Sequence, residues 1–135
     1  MGCKQNIFTV NQQITATPIN TNINLGGVSR NYGNCITLNN NVINLKEPGY
    51  YDIDVSTTFT SPVAGNVTVT LFQDGSAVPG ATATTNITTA NTQVASLSFP
   101  AIVRVRCGNI PSQLTLVLSG TTATFSNVAV KVSKL

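Results

Sequence analysis

In the stretch Lys46-Glu47-Pro48-Gly49-Tyr50-Tyr51-Asp52-Ile53-Asp54-Val55-Ser56-Thr57-Thr58-Phe59, the residues Tyr51, Ile53, Val55, Thr57 and Phe59 fall at every second position. Alternation of this kind marks a strand with one buried face, and Pro48-Gly49 supplies the turn that opens it. The same period recurs on either side. Val67, Val69 and Leu71 make a second strand that runs into Asp74-Gly75, a hairpin pair in which both residues tolerate positive φ. Ala95, Leu97, Phe99, Ala101, Val103, Val105 and Cys107 alternate without a break and predict one long strand over 95–107. Leu114, Leu116 and Leu118 follow, then Val128, Val130 and Val132. Shorter strands are predicted over 7–10, 14–17, 23–25, 36–38 and 42–45. No stretch keeps a helical period. Many short strands in 135 residues predict an all-β, two-layer antiparallel sandwich.

That length suits one domain able to bury a core without metals or disulfides. Charged residues make up 8% of the chain, against roughly 25% in ordinary soluble domains. Thr, Asn and Ser carry the polarity instead, and mean hydropathy is +0.18. Val and Ile recur even where strands face outward, so partners are expected to cover much of the surface. The formal charge is +3, but its cations are dispersed and have no exposed aromatics beside them, which argues against nucleic acid as a partner. No run approaches the ~18 apolar residues of a membrane span. Met1-Gly2-Cys3 is followed by Asn6 where an acylation pattern takes Ser or Thr, and no apolar segment precedes Cys3. Synthesis in a reducing cytoplasm is the expectation. The cysteines Cys3, Cys35 and Cys107 are odd in number and lack CxxC spacing, so they form neither a metal site nor a closed disulfide framework. Cys107 continues the apolar face of its strand and is expected to be a buried small hydrophobe.

The chain contains no histidine, which removes imidazole bases and ligands. Its acids are Glu47, Asp52, Asp54 and Asp74. Asp52 and Asp54 share the face of their strand opposite the core set; paired carboxylates can bind calcium or act as acid and base. Arg104 and Arg106 repeat that spacing on the long strand, also facing away from the core. Gly26-Gly27 and Gly49 have no helix behind them with which to cradle phosphate. No catalytic set, cofactor or metal is expected.

Lys46-Glu47-Pro48-Gly49-Tyr50-Tyr51 with its alternating continuation resembles the Pro-Gly-x-Tyr opening of the central strand in tumour-necrosis-factor and complement globular-head jelly rolls. The segments NVTVTLFQDGSAVPGA, IVRVRCG, QLTLVLSG and NVAVKVSKL follow in the family's order. The arrangement is similar to small Asn/Thr/Val-rich jelly rolls of phages and prophages, and to the globular tips of bacterial collagen-like surface proteins. The likeness covers about residues 36–135 well. It implies a homotrimer whose inner sheet, ordered A′-A-H-C-F, faces the threefold axis. Strand 95–107 would then be F, at a sheet edge where Pro100 is tolerated. The C and F strands would be neighbours, so Asp52 and Asp54 with Arg104 and Arg106 are expected to form a charge ladder at the trimer interface. Lys131 on the H strand would face the same way. This ladder is preferred to calcium binding or catalysis.

The function expected is a non-enzymatic virion structural protein, a trimeric capsid decoration protein or head fibre. It would be made in the host cytoplasm, carried on the virion surface and bound to the major capsid protein. The absence of a Gly-x-y stalk favours this over a bacterial surface or spore-coat adhesive module. The other alternative is a glycan-holding tip of a phage tail fibre, for which Tyr32 is the one candidate loop aromatic. Residues 13–135 are expected to form the domain, with 1–12 either an N-terminal arm or a first strand. Ile7, Phe8 and Val10 are the candidate capsid-attachment residues; Ile7 and Phe8, being adjacent, point to opposite faces of an extended segment.

Overall fold

The computed structural model describes residues 5–135. Their strands are β1 (Asn6–Asn11), β2 (Thr15–Thr17), β3 (Gly27–Tyr32), β4 (Ile36–Asn39), β5 (Val42–Leu45), β6 (Gly49–Thr60), β7 (Gly65–Gln73), β8 (Ser76–Ile87), β9 (Ala95–Val105), β10 (Ser112–Gly120) and β11 (Ala123–Lys134). They form two antiparallel sheets. One is ordered β3-β1-β11-β6-β9, with β2 also paired to β11; the other is ordered β4-β5-β10-β7-β8. This is a jelly-roll sandwich. Pro48 precedes β6 as expected, and Tyr51, Ile53, Val55, Thr57 and Phe59 all point into the core.

Leu97, Phe99, Val103 and Val105 of β9 face Val67, Val69 and Leu71 of β7 and Leu114, Leu116 and Leu118 of β10 across one shared core. Within it the rings of Phe59 and Phe125 lie 5.3 Å apart and tilted by 56°, within the range of favourable aromatic pairs. The buried Thr57 hydroxyl donates to the Leu97 carbonyl at 3.1 Å, so its polar atom is not stranded. In the β7–β8 hairpin both Asp74 (φ 52°) and Gly75 (φ 84°) are left-handed, the geometry that matches strand twist. The Asp74 carboxylate also accepts from the Gln113 amide and the Ser112 hydroxyl, each at 2.8 Å.

Four expectations are corrected. The long strand ends at Val105, because the chain turns through a 3-10 turn at Cys107–Asn109 that is closed by the Asn109 amide on the Arg106 carbonyl at 3.0 Å. Cys107 is therefore exposed and not part of the core. Residues 23–25 form no strand, although Ile23 and Leu25 are buried; the Ile23 amide bonds the Leu116 carbonyl, and the Leu25 amide bonds the Asn41 side chain. The strand predicted over 14–17 begins one residue later and leaves Ile14 79% exposed. Strand β3 was not expected; every one of its residues is exposed, so it has no apolar alternation to betray it. Residues 6–11 are the strand β1, hydrogen-bonded between β3 and β11 and not a detached arm. Cys3 lies outside the described residues.

Candidate functional site, the outward face of the β3-β1-β11-β6-β9 sheet

One face of this sheet is the core; the other is open. Residues directly opposite on neighbouring strands share a face. The register therefore lays out a row across the open side: Arg30 opposite Phe8, Phe8 opposite Lys131, Lys131 opposite Asp54, and Asp54 opposite Pro100. Within it Lys131 Nζ lies 3.2 Å from Asp54 Oδ2, both side chains about half exposed. Phe8, Ser56, Ser98, Pro100 and Ala129 surround this pair and line a shallow depression of about 470 Å³. Towards the Gly49 end, Asp52 faces Ile102 and Tyr50 faces Arg104. Tyr50 is 51% exposed and Ile102 62% exposed, and the Arg104 guanidinium sits 5.7 Å from the centroid of the Tyr50 ring, a cation–π contact.

The expected charge ladder is redistributed. Within the subunit the β6–β9 register gives Asp52 an isoleucine and Asp54 a proline as direct neighbours, so the arginines are offset along β9 from the carboxylates. Lys131, placed on the same face, is the cation that reaches Asp54. Arg106 lies past the end of β9 and lines a different depression with Gln73, Ser76 and Val78. Of the attachment candidates, Ile7 is fully buried, Val10 is half-buried, and Phe8 joins the open face. Ile102 and Ala129 were not singled out from sequence, and Tyr50 and Pro100 were named there for the strand opening and the sheet edge and not for this face. Each stands at the outward position of its strand, and that was the available signal.

A second charged pair stands beside the strand opening. Lys134 Nζ lies 3.1 Å from Glu47 Oε1. The Glu47 carboxyl is held below the usual carboxylate range by hydrogen bonds from Lys134 and from the Cys35 thiol. The neighbouring Tyr51 hydroxyl donates to the Glu47 carbonyl at 2.7 Å, and burial pushes its phenol pKa up. A carboxylate whose folded pKa is depressed contributes stability above its unfolded pKa, lost as pH falls through the folded value. Urea titrations of the native chain should therefore show an acid loss that sets in as pH falls through the ordinary glutamate pKa and is complete below the depressed folded value. In Glu47→Gln that increment of the loss should be gone.

Among the described residues no three Cys, Asp or Glu side chains cluster closely enough to hold a metal ion. The chemistry of the face is that of apolar contact, with one ion pair and one stacked arginine.

These features define a TNF/C1q-like jelly roll. Murine APRIL at pH 8.5 superposes with a TM-score of 0.73 at 12% identity, over 98% of this chain and 100% of its own. The globular domain of zebrafish complement 1qA gives 0.68 at 8% identity, over 97% of this chain and 96% of its own. At these identities the likeness is one of fold. No protein-family model matches the sequence, and no curated protein matches it either.

Proposed function

We propose that this chain is a non-enzymatic structural module that closes into a homotrimer through the outward face of the β3-β1-β11-β6-β9 sheet. In the finer reading it serves as a decoration or head-fibre protein on a phage capsid. The observation that carries the trimer is the exposure of Phe8, Tyr50, Pro100 and Ile102 on one face of a sheet whose other face is already the core. An exposed apolar patch of this kind is covered when copies of the same chain pack around a closed cyclic axis. The low charge of the chain supports the virion reading, since much of such a surface is suited to being covered.

The Asp54–Lys131 pair would then lie at the subunit interface. Exposed pairs contribute about 0–1 kcal/mol, but a pair buried by assembly strands its partner charge when one member is removed, at about 3–5 kcal/mol.

At low micromolar concentration, light scattering should give three times 14.1 kDa. A monodisperse monomer or dimer overturns the trimer. The virion role is tested separately, by sedimenting the trimer with shells assembled from the major capsid protein of the same genome. Saturable co-sedimentation supports decoration. A trimer that ignores shells but binds immobilised glycans belongs instead at a receptor-binding tip.

A further inference from the structure

A closed ring of three copies uses two different patches of each chain, one turned to the copy ahead and one to the copy behind. With the open face of the β3-β1-β11-β6-β9 sheet turned to the axis, β11 is its middle strand. The β1–β3 flank then meets one neighbour and the β6–β9 flank the other, so the two flanks have to complement each other.

Two parallel rows cross this face. One is Arg30–Phe8–Lys131–Asp54–Pro100; the other, a step nearer Gly49, is Tyr32–Asn6–Ser133–Asp52–Ile102. On the β1–β3 flank Arg30 is the one charge among the described residues, beside the exposed rings of Phe8 and Tyr32. The β6–β9 flank carries Asp52, Asp54 and Arg104 beside Tyr50, Pro100 and Ile102. Asp54 already has Lys131 at 3.2 Å, and Arg104 lies over the Tyr50 ring of its own flank. Asp52 is different. Its register neighbours are Ser133 and Ile102, and it forms no ion pair among the described residues. Arg30 forms none there either; its guanidinium bonds the Ser29 carbonyl at 3.4 Å. The two cannot meet within one subunit, because β3 and β6 stand three strand spacings apart, about 14 Å.

We propose that Arg30 of each copy pairs with Asp52 of the next and that this pair sets the register of the subunits, an inference that rests on the trimer proposed above. Arg30 lies in the row of Asp54, but that carboxylate is taken by Lys131. Asp52 is one row away, about 7 Å along the strands, an offset that a long, flexible arginine side chain covers. Arg104 is no rival, because it shares a flank with Asp52 and a ring contact carries it away from the neighbour's Asp52. Covering the face without this partner would remove the Asp52 carboxylate from water with nothing to offset the loss. The same complementarity rejects wrong arrangements. A twofold contact between like flanks would set Arg30 against Arg30 or Asp52 against Asp52.

The test is a light-scattering concentration series on the full chain, with far-ultraviolet circular dichroism to check folding. Arg30→Asp and Asp52→Arg bring like charges together at every interface. Each should raise the concentration at which the trimer dissociates at least about a hundredfold. The two together should return the mass to three times 14.1 kDa. If a reversal unfolds the subunit, Arg30→Gln and Asp52→Asn are the milder variants; each should weaken the trimer, and both together by less than the two effects combined. A native trimer whose mass withstands either single reversal overturns the pair and leaves the trimer standing. So does a folded double reversal that stays dissociated, or rescue of Arg30→Asp by Asp54→Arg and not by Asp52→Arg. A native chain that runs as a monomer overturns the pair and the trimer together.

Discussion

Ile102→Lys should leave a folded chain that runs at 14.1 kDa at the low micromolar concentration where the native protein runs at three times that mass. Ile102 is 62% exposed in the single chain and lies opposite Asp52. A lysine there has a carboxylate to pair with across β6 and β9, so the subunit itself tolerates the change. The assembly does not. Each copy loses about 1.5–3 kcal/mol of apolar burial and adds a cation that must shed its water. Threefold closure repeats the loss at every interface, so about 5–9 kcal/mol is removed from the trimer. Unchanged far-ultraviolet circular dichroism, with the mass reduced to one chain, is the expected pair of observations. A trimer that survives the substitution would show that Ile102 lies outside the interface.

Phe125→Ala acts on the subunit. Phe125 is 1% exposed and packs against Phe59 at 5.3 Å between ring centroids, where β6 and β11 meet. Truncating a buried phenylalanine costs about 3–5 kcal/mol, from lost transfer energy and the cavity left behind. Against a typical domain stability of about 5–15 kcal/mol, that is a large share. Urea midpoints should fall accordingly when chains are compared at one concentration. Phe59→Ala should cost a similar amount, and the double substitution less than the sum, since one aromatic contact is removed only once. Strict additivity would show that the two rings do not support one another.

The core strands were legible because their apolar residues keep period two over many turns of the pleat; β6, β7, β10 and β11 follow directly from Tyr51–Phe59, Val67–Leu71, Leu114–Leu118 and Val128–Val132. Strand β3 was hidden because Gly27–Tyr32 buries no side chain, so nothing in its composition separates it from a loop. Cys107 misled because alternation continues through residues that no longer form a strand. The face was half legible. Asp54 and Lys131 were placed together from strand order, whereas the choice between Asp52–Arg104 and Asp54–Lys131 depends on register, which a shift of one residue inverts. The row from Arg30 to Pro100 is legible only once the strands are laid side by side, since residues 30, 54 and 131 are far apart in sequence.

Pro100 has a consequence for how copies can add to one another. It sits in β9, the edge of its sheet, and β9 pairs with β6 in unbroken register on both sides of it. Its nitrogen therefore belongs to the side turned away from β6, where an amide hydrogen would otherwise offer itself to a passing strand. A gap in that row of donors discourages strand-on-strand stacking, the route by which exposed sheet edges polymerise into fibrils. A chain this poor in charge has little electrostatic protection against such growth. The proline makes that edge a poor template for polymerisation, and favours the side-chain surface of the same sheet, which can form assemblies of fixed size, over strand pairing at β9.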